Sequence, residues 1–220
     1  MEELEERQNL MDMLDRFELK DASDRWIWRG GKNKIFSVQS VKEFLRREID
    51  VSDRFIFEWP KWTTRDCNIF MWRVSMDRLP TMVALKNRKV EFGNVGCLLC
   101  EAVEETLEHI LCSYDLATSI WYRISIWCKV RPLFFFSIKD IFGLEEHLGL
   151  GKKHKKIFKG ILYVTCWYLW RARNRRRFND ETIRVEKVFQ EIKATSYFWL
   201  RNRMKKCTVS LKDWNTFNIM

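Results

Sequence analysis

The 220 residues carry 40 Lys/Arg against 30 Asp/Glu, a formal charge of +10, with 46% apolar residues and an aromatic share of 15% that includes 11 Trp. Such a composition excludes a disordered chain, and a transmembrane one is excluded because the most apolar run, residues 157–170, is broken by Lys159 and Gly160 and falls short of a bilayer span. The length admits one large domain or two small ones with a real core.

Residues 2–18 place Leu4, Met11, Leu14 and Phe17 near helical spacing, with carboxylates crowded into the first turn, and predict a surface helix. The same acidic start has the wrong sign for a signal or transit peptide. Seven cysteines is an odd number, so reduced thiols in a soluble, intracellular protein, nuclear or cytoplasmic, are expected rather than a disulfide framework. Asp24-Arg25-Trp26-Ile27-Trp28 and Lys34-Ile35-Phe36-Ser37-Val38 are aromatic-rich alternating runs around Gly30-Gly31, which predicts a β-hairpin. Ser40 and Glu43 then have the spacing of a capping box for a short helix with Val41, Phe44 and Leu45.

After Trp59-Pro60-Lys61-Trp62, a helix over 66–79 carries Cys67, Phe70, Met71 and Val74 on one side, and Thr81 caps another that runs to Arg88. Residues 90–96 form a turn-rich lead into Cys97-Leu98-Leu99-Cys100. An amphipathic helix is expected over 115–128, Ser137 caps a short helix, and Gly149-Leu150-Gly151 is the best hinge. Two long helices follow, over about 153–178 and about 182–206. The expected architecture is mainly α: a helical domain over 1–150 with one small N-terminal hairpin, and a basic helical tail over 151–220 that packs on it or stands apart.

One stretch collects metal-ligand side chains at metal-ligand spacing: Cys97-x2-Cys100-x8-His109-x2-Cys112. Three thiolates and an imidazole suit a tetrahedral structural Zn²⁺ ion with no open position for chemistry. His109 and Cys112 at i and i+3 on a helix would face the same way. Cys67, Cys128, Cys166 and Cys207 lack a partner at ligand spacing, and His147 and His154 are isolated.

Charge is unevenly distributed. Residues 151–220 hold 18 Lys/Arg against 5 Asp/Glu, whereas the first 150 hold 22 against 25. A basic third beside a near-neutral body points to a polyanion, RNA or DNA before a membrane. The candidates for phosphate contact are Lys152, Lys153, Lys155, Lys156 and Lys159 at the start of the first long helix, and Arg171, Arg173, Arg175, Arg176 and Arg177 near its end. Trp167 and Trp170 beside them read either as base-stacking platforms or as core.

Taken in order, Asp24-Arg25-Trp26-Ile27-Trp28, Phe36-Ser37-Val38-Gln39-Ser40, Trp59-Pro60-Lys61-Trp62, Asn68-Ile69-Phe70-Met71-Trp72-Arg73, Asp77-Arg78-Leu79-Pro80-Thr81, the CxxC, Glu105-Thr106-Leu107-Glu108-His109 and Trp121 resemble a known series. It is the zinc-binding region that follows the polymerase domain in plant non-LTR (LINE-type) retroelement reverse transcriptases. The resemblance implies zinc held by Cys97, Cys100 and His109. It also implies a fourth ligand five residues after the His, where this chain has Tyr114, with Cys112 two residues earlier as the substitute thiolate.

No Asp-Asp pair occurs in the sequence, and a polymerase needs paired carboxylates to hold its two metal ions. Polymerase activity is therefore implied for a parent element and not for this chain. The expected function is a non-catalytic zinc- and nucleic-acid-binding module, sequence-tolerant, working beside a retroelement polymerase. The rival is a domesticated or decayed helical interaction protein that binds neither zinc nor nucleic acid.

Overall fold

A computed structural model describes residues 2–16, 23, 26–30, 33–47, 57–90, 96–97, 100, 103–204 and 208–219. The chain divides into two compact units, Met1–Ile56 and Phe57–Met220. Phe17, Asp24-Arg25, Gly31, Leu98-Leu99, most of the 90–96 lead-in and Cys207 lie outside the described residues.

The first unit contains helices α1 (Glu2–Asp15) and α2 (Val38–Arg47). On α1, Leu4, Leu10, Met11 and Leu14 are exposed. The expected β-hairpin is not formed: among the described residues there is no strand on either side of the turn. Among the described residues a single backbone bond crosses it, Trp28 N–H to the Lys34 carbonyl (3.1 Å), and Lys34 adopts a left-handed conformation (φ 54°) that breaks the extended run. The aromatic alternation is satisfied another way, with Trp28 packed edge-on against Phe36 and against Phe44 of α2. The cap of α2 also lies one turn earlier than the Ser40/Glu43 spacing suggests. Ser37 Oγ accepts the Ser40 N–H and Ser40 Oγ accepts the Ser37 N–H, both at 3.0 Å, which is the reciprocal logic of a capping box.

The second unit is built around its longest helix. Helices α3 (Arg65–Ser75), α4 (Met82–Asn87), α5 (Asp115–Cys128), α6 (Lys152–Asn179), α7 (Val185–Arg203) and α8 (Leu211–Asn215) follow in order. Short 3-10 turns at Ile138–Ile141 and Leu144–His147 join α5 to α6. Thr64, Thr81 and Ser210 accept backbone N–H groups at the starts of α3, α4 and α8. Residues 157–170 of α6 are apolar nearly all round because α3, α5 and α7 pack against them. Among the described residues no helix is long and apolar enough to cross a membrane. Indole N–H groups in this core find backbone acceptors: Trp121 bonds the Leu111 carbonyl (2.7 Å), Trp127 that of Trp214 (2.9 Å) and Trp214 that of Lys193 (2.9 Å).

One glycine fixes how the chain enters this unit. A Cβ at Gly160 would stand 2.2 Å from Cζ2 of Trp62, a buried ring whose Nε1 donates to the Lys156 carbonyl (3.0 Å). Gly160→Ala would gain about 1 kcal/mol of helix propensity. It would also overpack the site at ~1–3 kcal/mol and strain a hydrogen bond worth ~1 kcal/mol. A net loss of about 1–3 kcal/mol is expected in urea denaturation, and unchanged stability would mean that Trp62 does not seat on α6.

Candidate metal centre

The CxxC loop is closed by an antiparallel bridge between Gly96 and Glu104, in which the Cys97 N–H donates to the Val103 carbonyl (2.8 Å). Two residues after Glu104, Thr106 Oγ1 accepts the His109 N–H (3.0 Å) and leads into a π-helical turn, His109–Ser113. The loop and the turn bring Cys97, Cys100 and His109 together, with all ligand atoms within 4.8 Å of one another. Cys100 Sγ lies 3.3 Å from His109 Nε2. A tetrahedral zinc ion with bonds of about 2.3 Å to sulfur and 2.0–2.1 Å to nitrogen would set that pair roughly 3.6 Å apart.

Burial and hydrogen bonding favour the ligating form of the imidazole. Burial lowers the His109 pKa, against the opposing charges of Glu105 and Asp115, so the ring is neutral at pH 7 and Nε2 keeps its lone pair for a metal. Ser113 Oγ stands 3.4 Å from Nδ1, the outer partner that orients a metal-binding histidine. Two soft sulfurs and an imidazole fit zinc, and Cys97, Cys100 and His109 are the residues that would hold it.

Cys112 stands outside this cluster. Its side chain is 2% exposed and belongs to the apolar core, where burial pushes the thiol pKa up to about 12. The physical reason is the π turn. An i→i+5 bond, Tyr114 N–H to the His109 carbonyl (2.8 Å), widens the turn, so residues three apart no longer share a face. Tyr114 packs its ring edge-on to His109 at 5.7 Å. Burial raises its phenol pKa, so the phenolate form that would bind a metal is disfavoured. A cavity of about 810 Å³ beside Cys100 and His109 is lined by Glu104, Glu108, Tyr114 and Asp115, which leaves room on that side for a water or a carboxylate.

Glu105, between the two halves of the centre, is 1% exposed. Its carboxylate takes both Nε (3.0 Å) and Nη2 of Arg173 on α6, and the Met82 N–H at the start of α4 (3.0 Å). Arg177 Nη1 lies 3.7 Å from the same group. This buried fork ties the metal-binding loop to two helices. Nothing in the local sequence marks it, because its partners lie 68 residues apart. Arg173, in helical register with Cys166, Leu169 and Trp170 on the apolar side of a long helix, was the one available signal.

The ten basic positions on α6 fall into two groups. Arg173 is buried with Glu105, Arg175 forks onto Glu191 (2.8 and 2.9 Å), Arg176 pairs with Asp180, and Arg177 faces Glu105. Lys155 pairs with Glu146, and Lys159 reaches both Glu58 (3.1 Å) and Glu145 (3.0 Å). Lys152, Lys153, Lys156 and Arg171 are exposed and make no ion pair among the described residues. Trp170 is buried, and Trp167 packs edge-on to Phe70 at 5.1 Å.

Comparison with known proteins agrees with the metal geometry. Residues 36–121 match the family described as zinc-binding in reverse transcriptase, a segment that contains Cys97, Cys100 and His109. No curated protein and no solved structure gives a match.

Proposed function

We propose that this chain is a non-catalytic, zinc-stabilised module that holds RNA or DNA, derived from the region after the polymerase in a plant non-LTR retroelement. The observation that carries this reading is the Cys97–Cys100–His109 cluster inside the segment matched to the reverse-transcriptase zinc-binding family. Zinc, when bound, supplies a cross-link between the CxxC loop and the π turn. Glu105 then passes that order to α4 and α6 through the Met82 N–H and Arg173.

Nucleic-acid contact begins with the cations that make no ion pair among the described residues. Lys153 and Arg171 are eighteen residues apart, five whole turns of α6, and so point to one side of the helix. Lys152 and Lys156 flank that side. Phosphate binding by such side chains is sequence-tolerant and depends on counterion release.

Charge reversal of Lys152, Lys153 and Lys156 to Glu is expected to weaken binding to single-stranded RNA and to flatten the log–log salt dependence by about 2, at roughly 0.7 per phosphate lost. Fluorescence anisotropy over a salt series measures both. Equal affinity for the triple variant would remove these lysines from the interface.

One observation favours the rival reading as an interaction protein: Phe134 and Phe136 project into solvent beside the buried Leu133 and Phe135. Under that reading the protein shows no affinity for RNA even at low salt.

A further inference from the structure

A cleft of about 530 Å³ opens between α3 and the C-terminal half of α6, within the ~300–1,000 Å³ range of small-ligand sites. Its two walls follow from helical spacing. On α3, Asp66, Ile69, Phe70 and Arg73 recur at i, i+3, i+4 and i+7. On α6, Trp167, Trp170, Arg171, Asn174 and Phe178 form one stripe. Leu79, Met82 and Leu85 line the remaining side.

The lining is aromatic and cationic together. Arg73, Arg171 and Arg177 face it with a single lining carboxylate, Asp66, while the charge of Arg173 is already matched by Glu105. Arg177 Nη1 is buried and makes no hydrogen bond; its nearest carboxylate oxygen is the 3.7 Å contact to Glu105. Such orphan donors are rare in folded proteins. Asn174 accepts Arg173 Nη1 at 2.9 Å through its side-chain oxygen, which leaves its NH₂ group as a donor. At the mouth, Phe178 is 72% exposed, an apolar ring open to solvent.

We infer that this cleft takes an unpaired nucleobase of a single strand, stacked on Phe178, with the flanking phosphates on Arg171 and Arg177. Charge sign selects a polyanion, the flat apolar walls select a planar ring, and the two spare donors match acceptors on a base edge or phosphate. The assignment rests on the nucleic-acid reading above and sharpens it: the lysines at the start of α6 hold backbone, and the cleft holds a base.

The test compares a short single-stranded RNA with the same strand made abasic throughout, against wild type, Phe178→Ala and Arg171→Gln. Both substitutions lie at exposed positions, and zinc content and circular dichroism check that the variants stay folded. Expected for wild type is roughly tenfold tighter binding of the intact strand, with that preference lost in Phe178→Ala. Arg171→Gln should weaken both strands. If intact and abasic strands bind equally, or Phe178→Ala keeps the preference, the cleft assignment falls while backbone binding stands. If neither strand binds at low salt, the nucleic-acid reading falls with it. Displacement of the RNA by an acidic, aromatic-containing peptide but not by adenosine monophosphate would reassign the cleft to a protein partner.

Discussion

Glu105→Gln is expected to destabilise the second unit by about 3–5 kcal/mol, the cost of stripping one partner from a buried ion pair. Arg173 is 2% exposed, and Glu105 is the carboxylate that matches its charge. Its Nη1 already donates to Asn174, and its guanidinium lies 4.8 Å from the Trp170 ring centroid. Neither contact supplies a counter-charge. Arg177 would lose its nearest carboxylate as well.

Arg173→Met should cost less, because Glu105 keeps Arg177 at 3.7 Å and still accepts the Met82 N–H. The pair Glu105→Gln with Arg173→Met should recover most of the loss. Gln retains an acceptor for Met82, and no unmatched Arg173 charge stays behind. Urea denaturation of the four proteins gives the coupling energy directly. An additive double variant would mean that the fork contributes nothing beyond its parts.

The ion pair also shows where sequence reasoning loses its grip. Periodicity is a local signal, so the α5 span from Asp115 to Cys128 and the two long helices could be read from the spacing of apolar residues. The Ser137 cap was equally legible, since Ser137 and Asp140 answer each other within one turn. Charge counts carry no such information about partners. Ten basic residues on one helix suggest a single basic face, but six of them are matched by carboxylates that come from as far as Glu58 and Glu105. The hairpin failed for a related reason. Aromatic alternation around two glycines fits a pleated sheet, and it fits equally an aromatic cluster of Trp28 with Phe36 and Phe44 once Lys34 turns left-handed.

At the metal centre, CxxC and the histidine were legible because their spacing is the ligand spacing. Cys112 also kept that spacing, yet a π turn lies beneath it, and nothing in His109-Ile110-Leu111-Cys112-Ser113 announces one. One extra residue in a turn is enough to send a thiol from the loop side to the core.

Removing that metal should produce the largest functional effect. Native mass spectrometry is expected to find one zinc per chain in the wild type and none in Cys97→Ser or His109→Ala, since losing even an outer partner of a ligand costs about 10–100-fold in affinity. Cys112→Ser should retain the ion and lose only packing, because its thiol is buried away from the other three ligands. If Cys112→Ser loses zinc as Cys97→Ser does, the three-ligand centre is wrong. Zinc at 100–1,000 times its dissociation constant should stabilise the wild type by about 3–4 kcal/mol through linkage, and a chelator should reverse it. Acidification acts in the same direction as the chelator. Protons compete for the two thiolates and for Nε2, so the stabilisation is present near neutrality and disappears as pH falls. Burial, which lowers the His109 pKa, delays the imidazole's part of that loss to lower pH. Tyr114→Cys tests the fourth place from the other side. Its ring already packs on His109, so a thiolate at this position should raise zinc affinity, by at least tenfold if the ligand completes the tetrahedron. Unchanged affinity would mean that position 114 does not reach the ion.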